Sequence, residues 1–304
     1  MKKYIFILSV ALVSCNGLFN QEKASNFQLD VYHLENLFEF SNDSINLEEL
    51  KNELGYFWDV YAEHILYLPE AAFYDSLFSL KNEKYFQEAF QSISTLYSDF
   101  SLYENEFSSI MKRYSEYFPN ENQPKIVTFF GAFNYPVVVT DSVLGIGLEM
   151  FLGEKSNYYS DLSNKYPPYM HQNFQPSHLT SLAINGWFES DYPVPTKSFL
   201  DQIVHHGKLK YVVFELTQNS ESAVMGYSSE QIDWCYENEY SIYRFIIEQG
   251  LLYTNDQFII SSEISPILNL ISNTNKDSIA IRQIKKFRNY FDNRTVYEDI
   301  KSFP

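Results

Sequence analysis

The chain reads as a predominantly helical α+β protein, and three observations give that class. Apolar residues recur at helical spacing through most of its length. One block, residues 124–153, is instead short, β-branched, aromatic and punctuated by proline and glycine, which predicts a single small sheet. With 304 residues, 45% of them hydrophobic, and with 26 Phe and 25 Tyr against three Trp, the chain has ample material for a broad aromatic core.

The first segment is an address rather than part of the fold. Lys2 and Lys3 precede about nine mostly apolar residues, Tyr4 to Leu12, too few to span a bilayer as a helix. Leu12-Val13-Ser14-Cys15 resembles the lipobox of bacterial lipoproteins, in which the cysteine sulfur takes a diacylglycerol and the bond before it is cut. Residues 1–14 are then a removable signal peptide and Cys15 the lipidation site, its acyl chains including palmitate. Two or three chains at about 0.8 kcal/mol per buried methylene hold far better than one. Asn16, standing where an aspartate would favour inner-membrane retention, points to the outer membrane, with either the periplasmic or the surface face open to the protein. Residues 15–26 form a polar tether, and the folded domain runs over 27–304.

A helical lobe is expected over about 27–120. Asn46 and Glu49 pattern as a capping box, and Leu47, Leu50, Leu54, Phe57, Tyr61 and Ile65 follow at helical spacing up to Pro69. Phe86, Phe90, Ile93 and Tyr97 mark a second helix; Tyr103, Phe107, Ile110, Tyr114 and Tyr117 mark a third, stopped by Pro119. The second part, about 124–304, opens with the sheet. Lys125–Phe133 and Pro136–Thr140 are read as strands joined at Asn134-Tyr135, with Ile146–Leu152 a further extended or mixed segment. Gly131, Gly145, Gly147 and Gly153 fall where short strands commonly need small or positive-φ residues. Helices return at about Ser177–Phe188 and Thr196–Phe214. Ser228 and Gln231 then form a capping box that opens a helix running to Gly250, and a last helix is predicted at Ser278–Phe291.

Charge and cysteine content exclude whole classes. The formal charge of −17, which becomes −19 once Lys2 and Lys3 leave with the signal, makes nucleic acid and anionic surfaces poor partners. With Cys15 lipidated, Cys235 has no intramolecular partner, so a disulfide scaffold is ruled out. In Asp233-Trp234-Cys235-Tyr236, Cys235 reads as a buried structural thiol rather than a nucleophile.

The ordered series Phe130-Gly131-Ala132-Phe133-Asn134-Tyr135, Thr140-Asp141 and Leu144 through Gly153 resembles the signature of the gliding-motility lipoprotein family GldB of Bacteroidetes. Tyr166-Pro167-Pro168-Tyr169, Gly207 to Tyr211, Gly226-Tyr227-Ser228 and Leu251 to Thr254 extend it, and with the lipobox the resemblance covers most of residues 1–255. That family in turn is distantly similar to zincin-like metallopeptidase domains, whose H-E-x-x-H helix supplies two zinc ligands and a general base. At the corresponding helix this chain has His178-Leu179-Thr180-Ser181-Leu182, and at the later helix His205-His206-Gly207-Lys208, so neither glutamate nor second histidine stands in place. The resemblance therefore implies a degenerate zincin-like lobe without catalytic residues, metal or cofactor. Its cleft would be marked by His178, His206, Lys208 and Glu149, with Lys208 turned inward as a surrogate charge. The implied function is a non-catalytic envelope accessory protein acting by interaction or assembly, with motility or secretion-machinery proteins as partners. The alternative is a hydrolase, or a peptide- or glycan-binding lipoprotein, with nonstandard site residues.

Overall fold

The computed structural model describes residues 29–39, 47–162, 171–194 and 198–256. The signal, Cys15, the tether, the Asn46 cap, the Tyr166–Tyr169 motif and the helix expected at 278–291 lie outside them. Among the described residues four strands form one mixed sheet: β1 (Val31–His33), β2 (Lys125–Phe129), β3 (Val137–Val139) and β4 (Val143–Gly147), in the spatial order β1-β2-β4-β3. The pairings β1–β2 and β2–β4 are parallel and β3–β4 is antiparallel, with Val127 opposite Gly145 and Val138 opposite the same glycine. Around the sheet the protein is mainly helical, as the periodicity indicates.

Two strand expectations are corrected. The hairpin joins β3 to β4, not β2 to β3, and β2 ends at Phe129 rather than Phe133. The cause is local: Ala132 and Phe133 sit at φ +51° and +62°, which turns the chain out of the sheet before Asn134. The third strand of the parallel set, β1, comes from a three-residue segment with no marked sequence pattern. β4 is wholly buried from Val143 to Gly147. A Cβ on Gly145 would meet the Phe57 ring at 2.6 Å, so the glycine leaves space that an aromatic side chain fills.

The helix expected across 47–65 is broken. α1 (Leu47–Leu54) ends at Gly55, whose φ of +51° is open to glycine at little cost; α2 (Tyr56–Asp59) then runs into a π-helical turn, Val60–Ile65. The apolar face survives the break, because Leu54, Phe57, Trp58, Tyr61 and Ile65 are all buried. α3 (Phe73–Asn82), α4 (Lys84–Leu96) and α5 (Ser101–Tyr117) complete the first part, the last ending short of Pro119.

In the second part α6 (Leu179–Asp191) packs against β3, β4 and α5, and also against α7 (Phe199–Thr217) and α8 (Glu221–Met225). Its apolar side chains Leu179, Ala183, Ile184, Trp187 and Phe188 are buried accordingly. α9 (Ser229–Glu248) opens on the anticipated capping box: Gln231 N–H donates to Ser228 Oγ and Ser228 N–H to Gln231 Oε1, at 3.3 and 2.8 Å. α7 has a box of its own, Ser198 with Asp201, which sets its start at Phe199 rather than Thr196. One apolar cluster links the first helices, the sheet and α6, with Phe57, Phe129, Phe130 and Phe151 enclosed in it. Burying each such ring contributes about 1.5–3 kcal/mol.

Candidate functional site

The signature stretch 130–135 is a tight turn at the C-terminal end of β2, and Glu149 holds it. The main-chain N–H groups of Gly131 and Phe133 donate to Glu149 Oε1 at 2.8 and 3.0 Å. Tyr61 OH donates to the Phe130 carbonyl at 3.1 Å, and Asn134 Nδ2 to the Ile65 carbonyl at 2.9 Å, so the π-helical turn grips the same loop from the other side. Tyr159 OH donates to the Glu149 carbonyl and accepts from Leu152 N–H. Glu149 is fully buried and its Oε2 has no partner. Burial pushes its carboxyl up to about 7, with the charge of Glu35 adding to the shift and the backbone donors opposing it. An enclosed carboxylate that accepts from two amides positions the loop.

The four positions expected to mark one cleft do not share one. Glu149 is sealed in the core, His178 is buried at the N-terminus of α6, and His206 and Lys208 are exposed on α7. The inward surrogate charge is thus not Lys208. Lys210, two residues on, is half-buried, and its Nζ donates to the Val224 carbonyl at 3.1 Å; desolvation lowers its pKa, with Glu189 acting in the opposite sense. His205 Nε2 lies 2.9 Å from the Tyr192 carbonyl, the contact that fastens the start of α7 to the loop before it.

His178 lines a polar cavity of about 510 Å³ together with Gln172, Gln175, Asn219, Ser222 and Tyr227. Its Nδ1 is buried without a partner, and desolvation lowers its pKa, which favours the neutral imidazole. The cavity wall is braced by a half-buried network: Thr180 Oγ1 donates to Glu106 Oε2, while Asn219 Nδ2 reaches Thr180 Oγ1 and Ser181 Oγ at 3.0 and 2.8 Å. Arg113 ties α5 to the same corner, donating to the carbonyls of Leu216 and Thr217 at the end of α7. Such a cavity offers hydrogen bonds to a small polar ligand. His178 is followed at the zinc-ligand spacing by Leu182, which packs against the core.

A second polar cluster went unnoticed in the sequence. His33 Nδ1 lies 2.8 Å from Glu35 Oε1 and 2.9 Å from Thr128 Oγ1, and Thr128 Oγ1 donates to Glu35 Oε2 at 2.7 Å. Burial works against the charged imidazole, but Glu35 and Glu104 outweigh it and the net shift is upward. The only local hint is a His-x-Glu pair that begins on the last residue of a three-residue strand. Among the described residues no group of three or more His, Cys, Asp or Glu side chains is placed to hold a metal ion, and no helix is long and apolar enough to cross a membrane.

Comparison with curated proteins and with solved structures finds no match. The profile of the family described as "Gliding motility protein GldB" matches residues 20–267, which takes in the turn at 130–135, Glu149, the cavity beside His178 and the helices α6 to α9. With more than half of its length covered, the chain belongs to the GldB gliding-motility protein family.

Proposed function

We propose that this protein is a non-catalytic envelope component of the gliding machinery, held at the outer membrane by lipid on Cys15 and acting by interaction or assembly with other machinery proteins. The observation that carries the reading is the use made of the family signature. Residues 130–135 are hydrogen-bonded to Glu149 and to the π-helical turn, an arrangement that supports a structural use of the signature. The enclosed Glu149 and the exposed His206 support the same reading, since neither can converge with His178 on a substrate. Residues 15–26 then act as the tether between lipid and body.

Anchoring is tested by Cys15→Ala, which should move the protein from the membrane fraction to the soluble fraction and abolish fatty-acid labelling. Reversible cross-linking in intact envelopes, followed by purification, should recover specific envelope proteins. Stoichiometric zinc in the purified protein, lost in His178→Ala, would overturn the non-catalytic reading. A second reading, a glycan- or peptide-binding lipoprotein, draws on the polar cavity alone, and binding of soluble cell-wall fragments abolished by Gln175→Ala would favour it.

A further inference from the structure

Helices α7, α8 and α9 enclose an apolar groove of about 480 Å³ at the protein surface. Leu200, Ile203, Ile232 and Cys235 line it, together with the exposed carboxylates of Glu221 and Glu239. Surface-accessible apolar side chains of this kind, with Met225 40% and Tyr236 63% exposed beside them, mark a docking surface rather than a core.

The chain itself leads to this groove. Leu200 N–H donates to the Leu252 carbonyl at 2.9 Å and Phe199 N–H to the Thr254 carbonyl at 2.8 Å, so the main chain is fastened to the groove's own wall just before Asp256. Beyond it, residues 278–291 carry Arg282, Lys285, Lys286 and Arg288 and no acidic side chain, a concentrated positive block in a chain of formal charge −17. At helical spacing Ala280, Ile284, Phe287 and Phe291 share one face, while Arg282, Lys285 and Lys286 lie off it. The sequence thus supplies an apolar stripe flanked by cations, and the groove an apolar lining flanked by carboxylates.

We propose that the groove between α7 and α9 is the docking site of the chain's own residues 278–291, bound as an amphipathic helix with Ile284 and Phe287 inside and the cations against Glu221 and Glu239. Reach does not limit it. The 21 residues 257–277 extend to about 70 Å, whereas a helix as long as α9 spans only about 30 Å. A tether of this length holds the segment at an effective concentration on the order of millimolar, so modest intrinsic affinity fills the groove. The inference does not rest on the gliding or anchoring assignments.

The test uses the mature chain with Cys15→Ala, in which Cys235 is the sole thiol and lines the groove. Docking shields Cys235, so its alkylation by a bulky maleimide should accelerate about tenfold or more in Lys285→Glu/Lys286→Glu and in Ile284→Asp/Phe287→Asp. Adding Glu221→Lys/Glu239→Lys to the first variant should restore slow alkylation, a rescue that unfolding cannot produce. Equal rates in the parent and both variants would overturn the proposal. So would protection that fades on dilution, which would make a second copy of the chain the occupant.

Discussion

Replacing Glu149 by Gln isolates the cost of keeping a carboxylate inside the joint that holds the 130–135 turn. The folded protein shifts this carboxyl from an ordinary 4.5 to about 7, through burial with Glu35 nearby. The folded state therefore keeps the proton longer than the unfolded chain does. Stability from this group is fully present below pH 4.5 and is lost as the pH rises through 7, by about 3 kcal/mol in all and about 2.5 kcal/mol between pH 5 and 8. Gln retains an oxygen to accept from Gly131 and Phe133 and places an NH2 where the neutral acid carries its proton, at Oε2, buried without a partner in both, so it copies the protonated parent and does not titrate. Glu149→Gln should accordingly gain about 2.5 kcal/mol on the parent between pH 5 and pH 8. Urea unfolding of the mature Cys15→Ala chain at pH 5, 6.5 and 8 measures the difference. His33 and His178 titrate in both proteins and cancel. A stability difference that stays constant within about 0.5 kcal/mol from pH 5 to 8 would refute the buried-carboxylate reasoning.

What was legible in the sequence is what a local period or a local cap dictates. The stripes of α4 and α5 and the Ser228–Gln231 box follow from residues three and four apart, and the structure places them where that spacing puts them, save Tyr117, which is exposed at the end of α5. The order of the sheet depends instead on pairings between distant segments: Val31 with Ile126, and Ile126 with Leu144. A three-residue strand carries too little pattern to announce them. The break at Gly55 was hidden for the opposite reason, since the apolar spacing runs through it while the backbone does not. Glu149 was found as a position but not as a role. Its partners are two amides 16 and 18 residues away, available only because Ala132 and Phe133 take positive φ. The exchange of Lys208 for Lys210 is a matter of helix phase. Both flank the buried stripe Leu209, Val213 and Leu216, one on each side, and the Val224 carbonyl lies on only one of those sides.

Gly147→Ala should cost about 1–3 kcal/mol of unfolding free energy, because its Cβ would run into the Tyr135 carbonyl on the far side of the pinned turn; a stability unchanged in denaturant titration would contradict that contact. Ser228→Ala should cost about 1 kcal/mol by removing the acceptor that caps α9, with faster amide exchange concentrated at the first turn of that helix as its signature. The two lysines of α7 give the sharpest contrast. Lys208 is exposed, so Lys208→Ala should change stability by less than about 0.5 kcal/mol. Lys210 packs its stem between helices and donates to the Val224 carbonyl near the end of α8, so Lys210→Ala removes both packing and a charge-assisted hydrogen bond, at about 2 kcal/mol. Lys210→Met keeps the stem and removes an ammonium that desolvation disfavours, so it should recover most of that loss. Chemical denaturation of the three variants separates the cases. Equal costs for Lys208→Ala and Lys210→Ala would mean that the Val224 contact contributes nothing, and that α7 is held against α8 by its apolar stripe alone.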